Sequence, residues 1–258
     1  MLRHQALQAL LISDPNEKAI EVRLLDADSP VDAGEQITDR AGIPGRNSKP
    51  QLVPHAELKH RSMATPAGRA ALIHALAHIE ANAVNLALDI TWRFPGMPDA
   101  FYRDWVGVAK EEALHFSLLR DHLREMGHEY GDFPAHDALW EMAEKTKHDV
   151  LARVALVPRT LETRGLDASP PIKAKLVKSG DHRAGEILDI ILRDEIGHVA
   201  LGNHWYRWLC GQRGLDPLTT YAELAERYGA PRPRGPFNLD ARRAAGFTED
   251  ELAVIQRE

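Results

Sequence analysis

Four stretches of this chain repeat apolar residues at the 3.6-residue period of an α-helix, and each carries a glutamate inside its apolar stripe. Around Glu195 the stripe holds Leu188, Ile191 and Leu192 before it, with Val199 and Gly202 after it. Around Glu112 it holds Trp105, Val108, Ala109, Phe116 and Leu119. Glu80 is flanked at the same spacing by Ile73, Leu76, Ala77, Val84 and Ala87, and Glu162 follows Leu151, Val154, Ala155 and Pro158. Two of these glutamates begin a Glu-x-x-His, so His115 and His198 share a helix face with Glu112 and Glu195. Glu80 precedes Glu112 by 32 residues and Glu162 precedes Glu195 by 33, which reads as a duplicated helix pair.

Breakers and caps bound the elements. Residues 3–13 and 17–26 pattern as short helices separated by Asp14-Pro15-Asn16. Residues 27–62 show no sustained period and are punctuated by Pro30, Pro44, Pro50 and Pro54. A loop of that length is uncommon in a compact domain, so it is expected to be a strap across the helices or a functional cover. His55 and His60 lie in it without an assigned role. Thr65-Pro66 opens the first long helix, which runs to Arg93, and the second runs from Pro98-Asp99 to Met126-Gly127. Helical pattern resumes over 136–165 as a short helix and a longer one, with Pro158 expected to kink the latter one turn before Glu162. A loop is predicted over Asp167–Gly180 because of Pro170-Pro171. Asp181 then caps the fourth long helix, which ends at Gly211 to Gly214. A short helix over 217–228, a turn over 229–239 and a capping box at Thr248–Glu251 complete the chain. No segment patterns as a strand. The expected architecture is all-α: one ferritin-like four-helix bundle over about 65–213, with an N-terminal region of helices and strap (1–64) and short C-terminal helices (214–258).

Composition narrows the classes. With 258 residues and 44% hydrophobic content the chain can build a sizeable core. A net charge of −6 argues against nucleic acid and anionic membranes as partners. The single cysteine, Cys210, excludes an internal disulfide and a thiolate-rich metal site, and points to a reducing compartment. The apolar run from Ala6 to Ile12 is too short to span a membrane and lacks a small-residue cleavage site, so a cytoplasmic location is expected.

Carboxylates and imidazoles set into apolar stripes need compensation, because an unpaired buried charge is expensive. One glutamate from each of two helices and a Glu-x-x-His from each of two others is the ligand set of dinuclear carboxylate bundles. Glu80, Glu112, His115, Glu162, Glu195 and His198 are therefore the candidate metal ligands. Glu112 and Glu195 are expected to bridge, Glu80 and Glu162 to be terminal ligands, and His115 and His198 to bind one ion each. Four carboxylates and two neutral imidazoles balance two divalent cations, and oxygen-rich donors favour iron, or manganese, over zinc or copper. Two such ions bridged by carboxylates can bind and reduce dioxygen.

Other polar residues point elsewhere. His78 stands about 160° around its helix from Glu80, at ~100° per residue, and is read as solvated or supporting rather than ligating. Asp189 and Asp194 are read as surface or helix-pair charges, Tyr102, Trp205 and Tyr206 as core, Arg159 as half of a structural salt bridge, and Arg232-Pro233-Arg234 as a solvated turn.

His78-Ile79-Glu80 with Ala87-Leu88-Asp89, Glu111-Glu112 to His115-Phe116, Gly127 to Gly131, Asp194-Glu195 to His198-Val199 and Gly202-Asn203-His204-Trp205 resemble a bacterial ferritin-like family catalogued as domain of unknown function 455. The resemblance covers about residues 40–210 and implies a four-helix bundle with a dinuclear metal centre, without a substrate. More remotely, the ligand spacing is similar to that of the di-iron hydroxylases acting on a modified adenosine of tRNA. The leading expectation is a di-iron or di-manganese oxidoreductase. It would use dioxygen as co-substrate on a small organic molecule, with an external electron donor. A ferroxidase or peroxide-scavenging iron-handling protein is the first alternative and a non-catalytic, metal-stabilised bundle the second. A homodimer is compatible with either.

Overall fold

The computed structural model describes residues 1–58 and 61–256, so His60 lies outside the described residues. Among the described residues the chain is all-α, as expected, and the only β feature is an isolated bridge between Leu52 and Ala135. Its contacts group into two compact units, residues 1–140 with 176–187, and residues 141–175 with 188–258. Each unit carries one copy of the repeated pattern: Glu80 with Glu112-x-x-His115 in the first, Glu162 with Glu195-x-x-His198 in the second.

In the first unit α1 (Leu2–Leu11) and α2 (Pro15–Leu24) pack against a long pair, α3 (Pro66–Arg93) and α4 (Asp99–Glu125). Local chemistry sets the helix starts. The Asp14 carboxylate accepts from the amides of Asn16 and Glu17, and the Thr65 hydroxyl accepts from the Gly68 amide, with proline in each following first turn. α3 is long and apolar enough to cross a membrane, yet it buries His74, His78, Glu80, Asn82, Asn85 and Asp89, as the core helix of a packed unit does. The short link after Arg93 makes α3 and α4 antiparallel neighbours, which puts Glu80 and Glu112 at a common level.

The strap is packed, not loose. The buried guanidinium of Arg3 donates to the carbonyls of Asp32 (2.8 Å), Glu35 (2.7 Å) and Trp92 (2.7 Å). Further along, the Gly45 amide donates to the Leu10 carbonyl, and a side chain at Gly45 would stand 2.1 Å from the Leu11 carbonyl oxygen. Only glycine allows that approach. The strap then pairs with the loop after α4, where the Val53 amide donates to Ala135 and the Ala135 amide donates to Gln51.

In the second unit α5 (Ala138–Lys145), beginning at the boundary, leads to α6 (Val150–Leu156), capped by Asp149. The expected kink at Pro158 is instead a turn of π-helix over Val157–Glu162, which then runs directly into α7 (Thr163–Lys178). Pro158 lacks an N–H for the usual bond four residues back, and the wider turn accommodates the gap. The hydroxyl of Thr160 donates to the Ala155 carbonyl, five residues back, and so serves the same register. The loop predicted over Asp167–Gly180 is also corrected, because α7 passes through Pro170 and Pro171 to Lys178. The carbonyl that Pro170 leaves without an amide, that of Leu166, accepts from the side-chain amide of Asn238 at 3.2 Å. A distant segment thus supplies what the helix itself cannot.

α8 (His182–Arg213) is the fourth long helix, with the Asp181 carboxylate accepting from the Ala184 amide. In the first unit Asp181 is also held by His122 of α4, whose Nε2 lies 3.0 Å from Oδ1. After α9 (Pro217–Tyr228) comes α10 (Leu239–Ala244), a short helix the hydrophobic pattern did not indicate, and α11 (Glu249–Ile255) with its capping box formed. α10 and α11 cover α7, the π turn and α8. Ala241 and Ala245 pack on Leu166 and Val199, Arg242 pairs with Asp167 (2.5 Å), and Asn203 donates to the Ala245 carbonyl (2.8 Å). Arg159 of the π turn pairs with Glu251 at 2.5 Å between Tyr206, Tyr221 and Phe247, the structural salt bridge expected of it. Tyr102, Trp205 and Tyr206 are core residues.

Two outcomes test this packing. A Cβ at Gly202 would stand 3.0 Å from Pro158 Cβ and 3.3 Å from the Arg159 amide, so α8 passes the π turn only because residue 202 is glycine. Gly202→Ala should destabilise by about 1–3 kcal/mol in chemical denaturation. Gly211→Ala on the same helix, where nothing lies within 4 Å, should be neutral or stabilising.

The second concerns Glu251. Burial pushes its carboxyl up, but Arg159, the Thr248 amide and Arg207 outweigh that and hold it below the usual glutamate value. Its stabilising contribution is therefore present above the unfolded-state value and is lost as pH falls through the lower folded one. Glu251→Gln should cost about 3 kcal/mol at neutral pH, a deficit that shrinks below about pH 4. Urea midpoints at pH 7 and pH 3 check this.

Candidate metal centre

In the first unit the helix pair brings three predicted ligands together. Glu80 projects from α3, and Glu112 and His115 from α4 one turn apart; Glu112 and His115 are fully buried and Glu80 is 5% exposed. His115 Nδ1 lies 3.3 Å from Glu112 Oε2 and 3.3 Å from Glu80 Oε2. One ligand atom from each of the three falls within 4.8 Å of the others, so a single ion can be reached by all. Glu80 Oε2, although close to the imidazole, makes no hydrogen bond of acceptable geometry. A buried carboxylate oxygen left in that state is what a cation would satisfy.

The electrostatics of this cluster follow from burial. Desolvation, and then the charge of Glu112, push the Glu80 carboxyl well above its usual range. Desolvation alone would lower the His115 imidazole. Its hydrogen bond with Glu112, the close approach of Glu80 and the charges of both outweigh burial and raise it to about 11. Metal-free, the cluster therefore holds protons in place of a cation, and the imidazole stands in for positive charge.

The second unit shows the corresponding Glu-x-x-His on α8. Glu195 is 7% exposed, His198 is 1% exposed, and His198 Nδ1 lies 3.7 Å from Glu195 Oε1. In both motifs it is Nδ1 that faces the carboxylate. Glu162 is the last residue of the π turn and is only partly buried. π turns inside α-helices occur often at functional sites, because they rotate one side chain out of the regular helical stripe. Within the first unit, Glu80, Glu112 and His115 are a buried Glu/His set able to hold a metal ion.

The remaining polar expectations resolve simply. Asp189 pairs with Lys173 on the surface, Asp194 pairs with Arg193, and Arg232 and Arg234 are exposed. His78 is not solvated: its Nδ1 lies 2.7 Å from the Tyr130 hydroxyl and its Nε2 3.0 Å from the His136 carbonyl. The Asn82 side-chain amide also lies 2.9 Å from Nε2. Burial, opposed by the His136 bond, pushes its imidazole down to about 4, and burial does the same to His74. These two histidines, one turn apart on α3, tie it to the loop after α4. Their spacing was visible in the chain, but the loop residues that complete the network were not.

The chain matches, over residues 11–253, the profile of the family described as "Protein of unknown function (DUF455)", and it belongs to that family. The match extends beyond the span of the resembling motifs and takes in the strap and the C-terminal helices. The chain is also 50% identical over 227 residues to an uncharacterized protein of Haemophilus influenzae, covering 85% of this chain and 79% of that protein. No solved structure matches it.

Because the metal-free cluster is protonated, loading it with Fe²⁺ or Mn²⁺ near neutral pH should displace protons, and apparent affinity should weaken as pH falls. Calorimetry in two buffers of different ionisation enthalpy measures this release. Identical heats in both would show that no proton is displaced.

Proposed function

We propose that this protein is a di-iron or di-manganese carboxylate oxidoreductase that activates dioxygen to oxidise or hydroxylate a small organic substrate. In this reading Glu80, Glu112, His115, Glu162, Glu195 and His198 are the metal ligands. The observation that carries it is the cluster of Glu80, Glu112 and His115, a fully desolvated group of ligand atoms with an excess of carboxylate over cation. The recurrence of the same Glu-x-x-His, buried, on α8 supports a second equivalent half.

Two bound ions of this type supply electrons for dioxygen reduction, which no protein side chain in the set can do. The chain contributes the rest. Carboxylates fixed on long packed helices hold a preset ligand cage, and the choice of oxygen donors selects iron or manganese over softer or more imidazole-loving ions. The apolar stripe residues beside the ligands, among them Val84, Trp105, Ala109 and Phe116, are buried and exclude water from the carboxylates. An external electron donor is required for repeated turnover.

Metal analysis of freshly purified protein should find about two iron or manganese ions per chain. Anaerobic reduction followed by air should then consume dioxygen. Glu112→Ala and Glu195→Ala should each lose metal while helical circular dichroism is retained. Absence of both metals would overturn the reading, metal without dioxygen uptake would leave a structural ion, and uptake that tracks added Fe²⁺ alone would indicate iron handling.

A further inference from the structure

A half-open cleft lies in the first unit between α2, the strap and the outer face of α3. Its lining includes Lys18, Arg46 and Lys49, and contains no aspartate or glutamate among the described residues. In a chain with a net charge of −6, three cations without a lining carboxylate are a local inversion of sign. Lys18 is the unusual member. It is only 4% exposed, and its ammonium donates to two neutral acceptors, Asn85 Oδ1 at 2.6 Å and the Gly45 carbonyl at 3.1 Å. An ammonium has three N–H groups, so one remains for a ligand. Beside it Asn82, 3% exposed, presents a side-chain oxygen with no hydrogen-bond partner.

We propose that this cleft is a binding site for a small molecule bearing an oxyanion, a carboxylate or a phosphate, with Lys18 as its anchoring cation and Arg46 and Lys49 at its rim. Lysines are ordinarily left at the surface or, when buried, paired with a carboxylate. Here the α3 amide and strap carbonyl hold the ammonium in place without neutralising it, which is the arrangement of a site that waits for its counter-charge. Burial, with the charge of Arg46 second, pushes the Lys18 amine down to about 7. A bound anion reverses both effects. The acidic groups nearby are committed elsewhere: Asp137 accepts from Arg46 at 2.6 Å, and Asp14 caps α2 and accepts from Asn47 at 3.1 Å. The Asn82 oxygen offers an acceptor for a hydroxyl on the same ligand. No metal is needed for any of these contacts, so the proposal stands apart from the dinuclear centre.

The test uses the full chain, ¹⁵N-labelled, with amide shifts of Gly45, Arg46, Asn47 and Asn85 followed during titration with sodium phosphate or sodium acetate at constant ionic strength. Saturable shifts with phosphate alone identify a phosphate-bearing ligand, and with acetate alone a carboxylate. Lys49→Ala, at an exposed position, should weaken binding about threefold. Lys18→Met should weaken it at least about thirtyfold. Shifts that are linear and match those produced by chloride would overturn the proposal, as would unchanged binding in Lys18→Met. Should Lys18→Met lose its helical circular dichroism, unchanged binding in both Lys49→Ala and Arg46→Gln overturns it instead.

Discussion

Carboxylates inside a helix pair are tolerated only when something cancels their charge, and the architecture around Glu80 and Glu112 is built on that constraint. Desolvation draws a proton onto Glu80, and the two carboxylates, against desolvation, draw one onto His115, so the apolar stripe that buries the acids also makes the cluster hungry for cations. The same burial fixes the helices. With Trp105, Val108 and Phe116 packed around Glu112, neither α3 nor α4 can rotate to expose its acid without uncovering a full apolar face.

The second unit reaches a similar end with more irregular means. Its glutamate-bearing helix is widened into a π turn at Pro158 and carried through two further prolines, and the segment is held by partners from outside the helix. Asn238 takes the carbonyl of Leu166, Arg242 engages Asp167, and Glu251 neutralises Arg159. The C-terminal helices thus act as a clamp on the segment that presents Glu162.

The first unit invests comparably in its strap. Arg3, Gly45 and the pairing at Ala135 fasten some thirty residues of irregular chain across α1, α2 and the loop after α4. Strap and α2 together enclose Lys18, which places a buried cation on the outer side of the helix whose inner side carries Glu80. α3 therefore separates two polar features of opposite sign within one apolar element.

Periodicity by itself determined the helical class, the long-helix boundaries at Thr65–Arg93, Asp99–Met126 and Asp181–Arg213, and the buried, in-stripe positions of Glu80, Glu112, His115, Glu195 and His198. These are local properties: caps, prolines at helix starts and the 3.6-residue repeat act within a few residues. What the tertiary structure alone decided were the π turn at 157–162, the continuation of α7 through Pro170 and Pro171, the small helix at 239–244, and the networks around His78 and Lys18. Each depends on a partner far away in the chain, such as Asn238, Gly202, Tyr130 or Asn85. A breaker residue reads as a break until a distant donor or acceptor is seen to replace the bond it removes.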